Sequence, residues 1–290
     1  MKPITFQLSR QTKVTSTRIQ SEYNYTTMLE NLNSHPRDKL LLFDEPSHTY
    51  TVNGESGYMS ATTFVHSNFP AFDEEAIIDK MMKSQHWAKN KYYPMTKEQI
   101  KAQWEMTRNE AADAGTKMHA QIEDYYNSLP ISFDSIEMKA FQQFHEDYAI
   151  SLDLRPFRTE WRIFHEDLKI AGTIDMTYVD SEDKIYIVDW KRCREIKKYI
   201  NEKWPPGKSL NPGLSNFYDT NYYHYSLQLN LYKHILETKY DKTVNELALV
   251  NLHPEKRSSV GSTYEYFDVP FMSNQEIQSL YDWRVEINDK

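Results

Sequence analysis

The sequence predicts one α/β core preceded by an N-terminal α+β extension. Three observations carry that expectation. Between residues 96 and 290, segments of helical and strand character follow one another as helix, three strands, helix, strand. The strand segments are apolar runs rich in β-branched and aromatic residues, whereas the helical ones repeat their apolar positions about every 3.6 residues. At 290 residues and 39% hydrophobic content, the chain can bury one large core or two modest ones.

Residues 1–35 are polar, with a short helical segment around Tyr23–Leu32. LLFDEPSHTYTVNGESGYMSATTFV then reads as two short strands around the turn Asn53–Gly54, because β-formers flank a strong turn dipeptide. FDEEAIIDKMMKSQHWAKN starts a helix whose first-turn acids suit the positive end of the helix dipole. These elements form an extension over residues 1–95, which is either a unit of its own or continuous with the 96–290 core.

Thr96–Leu129 repeats apolar residues at Ile100, Trp104, Ala111, Met118 and Ile122. Gly115 lies inside that repeat, where glycine costs about 1 kcal/mol against alanine. It marks either a break between two helices or a close backbone approach. A further helix covers Ser135–Ile150, ahead of Pro156. RTEWRIFHED, LKIAGTIDMTYVD and KIYIVDWKR are three successive strands, the last two joined by a tight polar turn at Ser181–Asp183. EKWPPGKSLNPGLSNFYDT is a Pro/Gly-rich loop too long for a routine connection. YYHYSLQLNLYKHILETKY is a helix with Leu227, Leu231 and Ile235 at apolar positions. NELALVNLHP and STYEYFDVP are strands, and Asn274–Val285 closes the chain as an amphipathic helix.

Composition narrows the function classes. No apolar run approaches the about 20 residues of a membrane span, and the polar N-terminus carries no signal-peptide core. The lone Cys193 excludes an intrachain disulfide, and within one chain a cysteine-ligated zinc or iron–sulfur cluster. An intracellular setting follows as the expectation. The net charge of -8 argues against broad coating of nucleic acid, yet permits a basic channel beside acidic metal ligands.

Chemistry converges at four places. YIVDWKR sets Asp189 and Lys191 two residues apart, hence on one strand face. Asp175 occupies a comparable place in the apolar AGTIDMTYV, where an unpaired carboxylate is costly to bury. Either the two acids meet and share a divalent cation, for which oxygen ligands suit Mg²⁺ or Mn²⁺, or Asp189 simply pairs with Lys191 at a sheet edge. In GTKMHAQIE, His119 and Glu123 are spaced i,i+4 on one helix face, as cation ligands or as a surface hydrogen-bonded pair. In SLQLNLYKH, Gln228 and Tyr232 share that spacing. They either reach a phosphate or base, or are a solvent-facing Gln and a core-packed Tyr.

The order GTxxHxxxE, GxxD, DxK and QxxxY, on helix, strand, strand and helix, resembles the PD-(D/E)XK nuclease superfamily, especially the branch with RecB nuclease domains and lambda-type exonucleases. The resemblance covers Glu110 to Pro254, about half the chain. It implies a restriction-endonuclease-like core, with a mixed central sheet flanked by helices. It also implies metal-dependent hydrolysis of DNA, as an exonuclease in recombination, repair or replication. His119, Asp175 and Asp189 would hold one or two Mg²⁺ or Mn²⁺ ions, with Glu123 as a helper, Lys191 as the catalytic cation, and Gln228 and Tyr232 positioning the strand. Arg192 and Cys193 depart from the Gly or Thr that usually follows the lysine, and the cysteine-cluster members of the branch are not matched.

The implied partner is DNA, single-stranded or with a free end, together with a recombination or replication protein and no membrane. The implied location is cytoplasmic or DNA-associated. A structure-specific endonuclease, or a non-catalytic nucleic-acid-binding protein on the same fold, is the alternative. Arg192, Arg194, Lys197, Lys198 and Lys203 form a candidate phosphate track leading from the catalytic strand. Trp204, before two prolines, either stacks on a base or anchors its loop. Arg158, Arg162 and Lys169 alternate with apolar residues around the first strand, either as further basic contacts to nucleic acid or as a solvated sheet face. Glu160 is a strand-edge acid unless its strand faces the metal site.

Overall fold

The computed structural model describes residues 28–201, 203, 205–255 and 263–288. The first expected helix is described as α1 (Met28–Leu32), and its portion from Tyr23 to Thr27 lies outside the described residues. Three strands follow where two are expected: β1 (Leu41–Asp44), β2 (Thr49–Val52) and β3 (Glu55–Ser60). The additional reversal comes from local turn chemistry. The Asp44 carboxylate accepts from the Ser47 amide at 3.1 Å, and His48 takes a left-handed φ of 50°. Asn53 and Gly54, at φ 51° and 78°, turn β2 into β3 as expected.

The ATTFV segment, expected to continue strand character, is instead helix α2 (Ala61–Ser67). The Ser60 hydroxyl accepts from the Thr63 amide and caps it. Asp73 caps α3 (Glu74–Met82) in the same way. Helix α4 (Lys97–Tyr126) runs through Gly115 without a break, started by a Thr96/Gln99 capping box. Gly115 marks no close approach either, since a Cβ there would meet nothing within 4 Å. Helix α5 (Ile136–Phe144) continues as a wider turn through His145–Ile150, which completes the expected span.

The remaining strands are β4 (Arg155–His165), β5 (Ile170–Val179), β6 (Ile185–Lys191), β7 (Val244–Asn251) and β8 (Glu265–Asp268). Helices α6 (Asn221–Lys239) and α7 (Asn274–Asn288) complete the order. Among the described residues, the eight strands form one mixed sheet in the order β1-β2-β3-β5-β6-β7-β8, with β4 also on β5. Strands β6 and β7 are parallel, as a connection through α6 requires. Strand β3 joins β5 in parallel at Met59–Ile170 and Ser60–Ala171, so the described part of the extension is hydrogen-bonded into the core sheet.

Side-chain alternation along β6 fills two layers. Ile185 and Ile187 pack with Leu227, Leu231 and Ile235 of α6. Val188 and Trp190 pack with Met118 and Ile122 of α4 and with Phe141 and Phe144 of α5. Phe141 and Phe144 meet the Trp190 ring edge-on, with centroids 5.7 and 5.3 Å away. Such pairs contribute about 0.5–1.5 kcal/mol beyond burial, and they fix the end of β6 on which the site is built. Among the described residues, no helix is long and apolar enough to cross a membrane.

Candidate metal centre

On the β4 side, strand β5 is paired over Ile170–Ile174 and again over Met176–Val179. On its other edge, β3 takes only Ile170–Ala171 and β6 only Met176–Val179. The stretch from Gly172 to Asp175 therefore faces the opening where β3 and β6 part. The pleat is also interrupted there. Ile174 and Met176 are two residues apart and should share a face, yet they pack in different layers. Glu160, opposite on β4, has a φ of 44°, a left-handed conformation that costs a non-glycine residue about 1–3 kcal/mol. Asp175 and Glu160 thereby leave the core pattern, and their carboxylates come together.

Helix α4 brings His119 to that opening. Its Nδ1 lies 3.6 Å from Glu160 Oε1 and 3.7 Å from Asp175 Oδ2. One donor atom from each of the three residues falls within 4.8 Å of the others, a grouping that could hold a metal ion. The other ring nitrogen, Nε2, is 3.1 Å from the Trp190 carbonyl. Donation there commits Nε2–H to the carbonyl and turns Nδ1 toward the carboxylates, the usual arrangement behind a histidine ligand. The Trp190 amide donates to Asp175 Oδ2 at 2.9 Å, so one β6 residue orients two members of the group. Burial alone would lower the His119 pKa, but Asp175 and Glu160 outweigh it and raise it to about 9. A cation entering the group competes with that proton.

Asp189 is 3% exposed, and its donor atoms are not among the three that converge. Its Oδ2 lies 2.6 Å from Lys191 Nζ without hydrogen-bond alignment. Burial raises the Asp189 carboxyl pKa against the pull of Lys191, and the nearby Asp175 raises it further. Burial opposes the charge on Lys191, but Asp189 and Asp175 override it and hold the ammonium protonated. The Tyr225 ring covers that ammonium, 4.5 Å from its centroid. Glu123 lines the same groove as Glu160, and burial together with Glu160 pushes its pKa up to about 7.

Gln228 and Tyr232 reach the opening from α6. Gln228 Nε2 donates to Tyr232 Oη at 3.0 Å and to Thr62 Oγ1 at 3.2 Å. Tyr232 is buried rather than free to swing toward a ligand. It lies on Gly172, where a Cβ would come within 2.9 Å of Tyr232 Oη and of Ala61. Gln228 remains half-buried at the margin.

The basic segment is less uniform than its sequence suggests. Arg192 is tied to Glu137 at 2.8 Å, and Arg194 faces Glu255 at 3.8 Å. Lys198 covers the Tyr222 ring, 5.2 Å from its centroid. Lys197 lines a groove of about 630 Å³ with Tyr199 and Asn201, and Lys203 is exposed. Trp204 lies outside the described residues. On β4, Arg158 is a correction to the solvated-face expectation. It is 3% exposed and bonded to Asp38 at 2.8 Å. Glu160 is the residue that sequence reasoning underweighted. Its signal was the alternation in TEWRIF, where inward Trp161 and Ile163 put Glu160 and Arg162 together on the other face. The chain matches no protein-family model, and a search of curated proteins returned no significant match.

Proposed function

We propose that this protein is a divalent-metal-dependent deoxyribonuclease of the PD-(D/E)XK type, acting as an exonuclease on DNA. The observation that carries the reading is the convergence of His119, Glu160 and Asp175 beside the Asp189–Lys191 pair. The donor set of one imidazole and two carboxylates suits Mn²⁺ or Mg²⁺. A bound divalent cation supplies charge withdrawal from the phosphoryl oxygens and lowers the pKa of water. His119 offers Nδ1 because Trp190 holds Nε2. Lys191 stays protonated and stabilises negative charge developing on the phosphoryl group. Asp189 keeps that ammonium in place, and Gln228, its amide hydrogens donated to Tyr232 and Thr62, ties α6 to α2 at the margin where a strand would pass.

The test is cleavage of linear single-stranded, linear duplex and circular DNA with Mg²⁺, Mn²⁺ or EDTA. The expected result is cation-dependent release of nucleotides from linear substrates, absent in Asp175→Asn. Cleavage of circular DNA would replace the exonuclease with an endonuclease. DNA binding by folded protein without cleavage in either cation would overturn the hydrolytic reading in favour of a binding protein.

A further inference from the structure

We infer that Arg162 and Phe43 form a nucleotide subsite next to the metal centre. The guanidinium holds a backbone phosphate adjacent to the scissile one, and the Phe43 ring orients the guanidinium. This rests on the phosphodiester reading above and assigns it a substrate contact.

The groove that contains His119, Glu123 and Glu160 has a volume of about 620 Å³ and is also lined by Phe43, Arg162 and Thr173. That volume falls within the about 300–1,000 Å³ of ordinary ligand pockets. Arg162 is its one lysine or arginine among the described lining residues. It is exposed, and among the described residues it makes no ion pair although Glu123 and Glu160 line the same groove. Neighbouring arginines behave differently. Arg158 is bound to Asp38, and Arg37 is bound to Glu166 at 2.7 Å. A guanidinium held out of such pairing keeps its planar fork available for a phosphate.

Phe43 supplies the orientation. Its ring centroid lies 5.6 Å from the Arg162 guanidinium carbon and 4.5 Å from the Tyr50 centroid, so the hairpin backs the ring and the ring backs the arginine. Register supplies the spacing. Arg162 is two residues from Glu160 on β4, a separation of about 6.5 Å along a strand. That is the scale of one nucleotide repeat in an extended strand. The facing wall, α4, is set back at Gly115, where nothing stands within 4 Å of a built Cβ. An otherwise acidic groove would repel a phosphodiester, and Arg162 offsets that repulsion where the strand must lie.

The experiment is a binding titration of a mixed-sequence single-stranded oligonucleotide at several salt concentrations. Ca²⁺ replaces Mg²⁺ because it satisfies the same oxygen donors. Wild type is compared with Arg162→Ala, Arg162→Lys and Phe43→Leu, with thermal melts confirming that each is folded. Arg162→Ala is expected to bind roughly tenfold more weakly and to lose about 0.7 from the magnitude of the salt slope. Arg162→Lys keeps the slope and regains part of the affinity. Phe43→Leu weakens binding several-fold at unchanged slope. Wild-type affinity and slope in Arg162→Ala, or failure of the wild type to bind, would overturn the subsite. Companion cleavage assays separate the two readings. Cleavage by wild type with an unaffected Arg162→Ala rejects the subsite alone, whereas the expected binding pattern without wild-type cleavage in Mg²⁺ or Mn²⁺ rejects hydrolysis alone.

Discussion

A histidine and two acids form a group here that could hold a metal ion, and Trp190 fixes two of them through its own backbone amide and carbonyl. His119→Ala and Glu160→Gln are each expected to weaken Mn²⁺ binding at least about tenfold, read by calorimetric titration of folded protein. Unchanged Mn²⁺ affinity in both would remove the ligand roles. Asp189 asks for a different experiment, since its contact is with Lys191. Asp189→Asn leaves a largely buried ammonium without its partner and is expected to cost on the order of 3 kcal/mol in urea unfolding. Adding Lys191→Met should restore much of that stability without restoring cleavage. Equal stability of the single and double variants would mean that the unpaired ammonium is not what destabilises Asp189→Asn. The meeting of His119 with Asp175, and of Asp189 with Lys191, was legible in the sequence because carboxylate, imidazole and ammonium groups stood at helix or strand spacing among apolar residues. Glu160 was only half legible. Its alternation was visible, but the left-handed backbone that aims it is set by pairing with β5.

At the level of elements, the closeness of α6 to β5 depends on one missing side chain. A Cβ on Gly172 would come within 2.8 Å of the Tyr232 ring and 2.9 Å of the Ala61 Cβ. Neither neighbour is the far end of a flexible chain. Gly172→Ala is therefore expected to destabilise the fold by about 1–3 kcal/mol, seen as a lower urea midpoint, and to move Gln228 and Tyr232 relative to Asp175. A midpoint equal to wild type would show that α6 can retreat without cost. The long helices and the three central strands were readable because each sustains its period over many residues. Gly115 misled the reading. A glycine inside a 30-residue helix suggests a break, but a capping box and a buried face of Met118, Ile122 and Tyr126 carry the helix through it. Strand β1 and helix α2 are too short for periodicity to distinguish. Their identities come from the Asp44 turn and the Ser60 cap, which act over only three residues.

Over the whole molecule, charge and burial set how the fold meets pH and how it would meet the proposed DNA substrate. His165 is 1% exposed, accepts from the Leu168 amide at Nδ1, and faces the Tyr281 hydroxyl at 2.9 Å from Nε2. Burial, with Lys239 and His234 nearby, lowers its pKa to about 4. The unfolded chain therefore takes up this proton first as pH falls below about 6.5, so stability declines from there towards pH 4 and is unaffected by this group above that window. Histidine 119 and Glu123, with raised values, act in the opposite sense. The test is thus the difference between wild type and His165→Gln, which should shrink as pH falls from 7 to 4.5. A constant difference would show that His165 is not the group responsible. Under the proposed nuclease reading, DNA presents the complementary problem, because a chain of net charge -8 would have to attract a polyanion locally. Among the track residues, Arg192 and Arg194 face carboxylates, whereas Lys197 lines an open groove with the 90%-exposed Tyr199. Replacing Lys197, Lys198 and Lys203 together with alanine is expected to weaken DNA binding and to lower the salt slope by up to about 2, since fewer counterions are released. Lys191 is untouched, so cleavage at saturating protein should fall far less than affinity. Binding titrations across several salt concentrations, paired with single-turnover cleavage, check this. An unchanged slope would make the segment ordinary solvated surface. Lost saturated cleavage at unchanged affinity would instead mean that the segment organises the end of β6, the same backbone through which Trp190 holds His119 and Asp175.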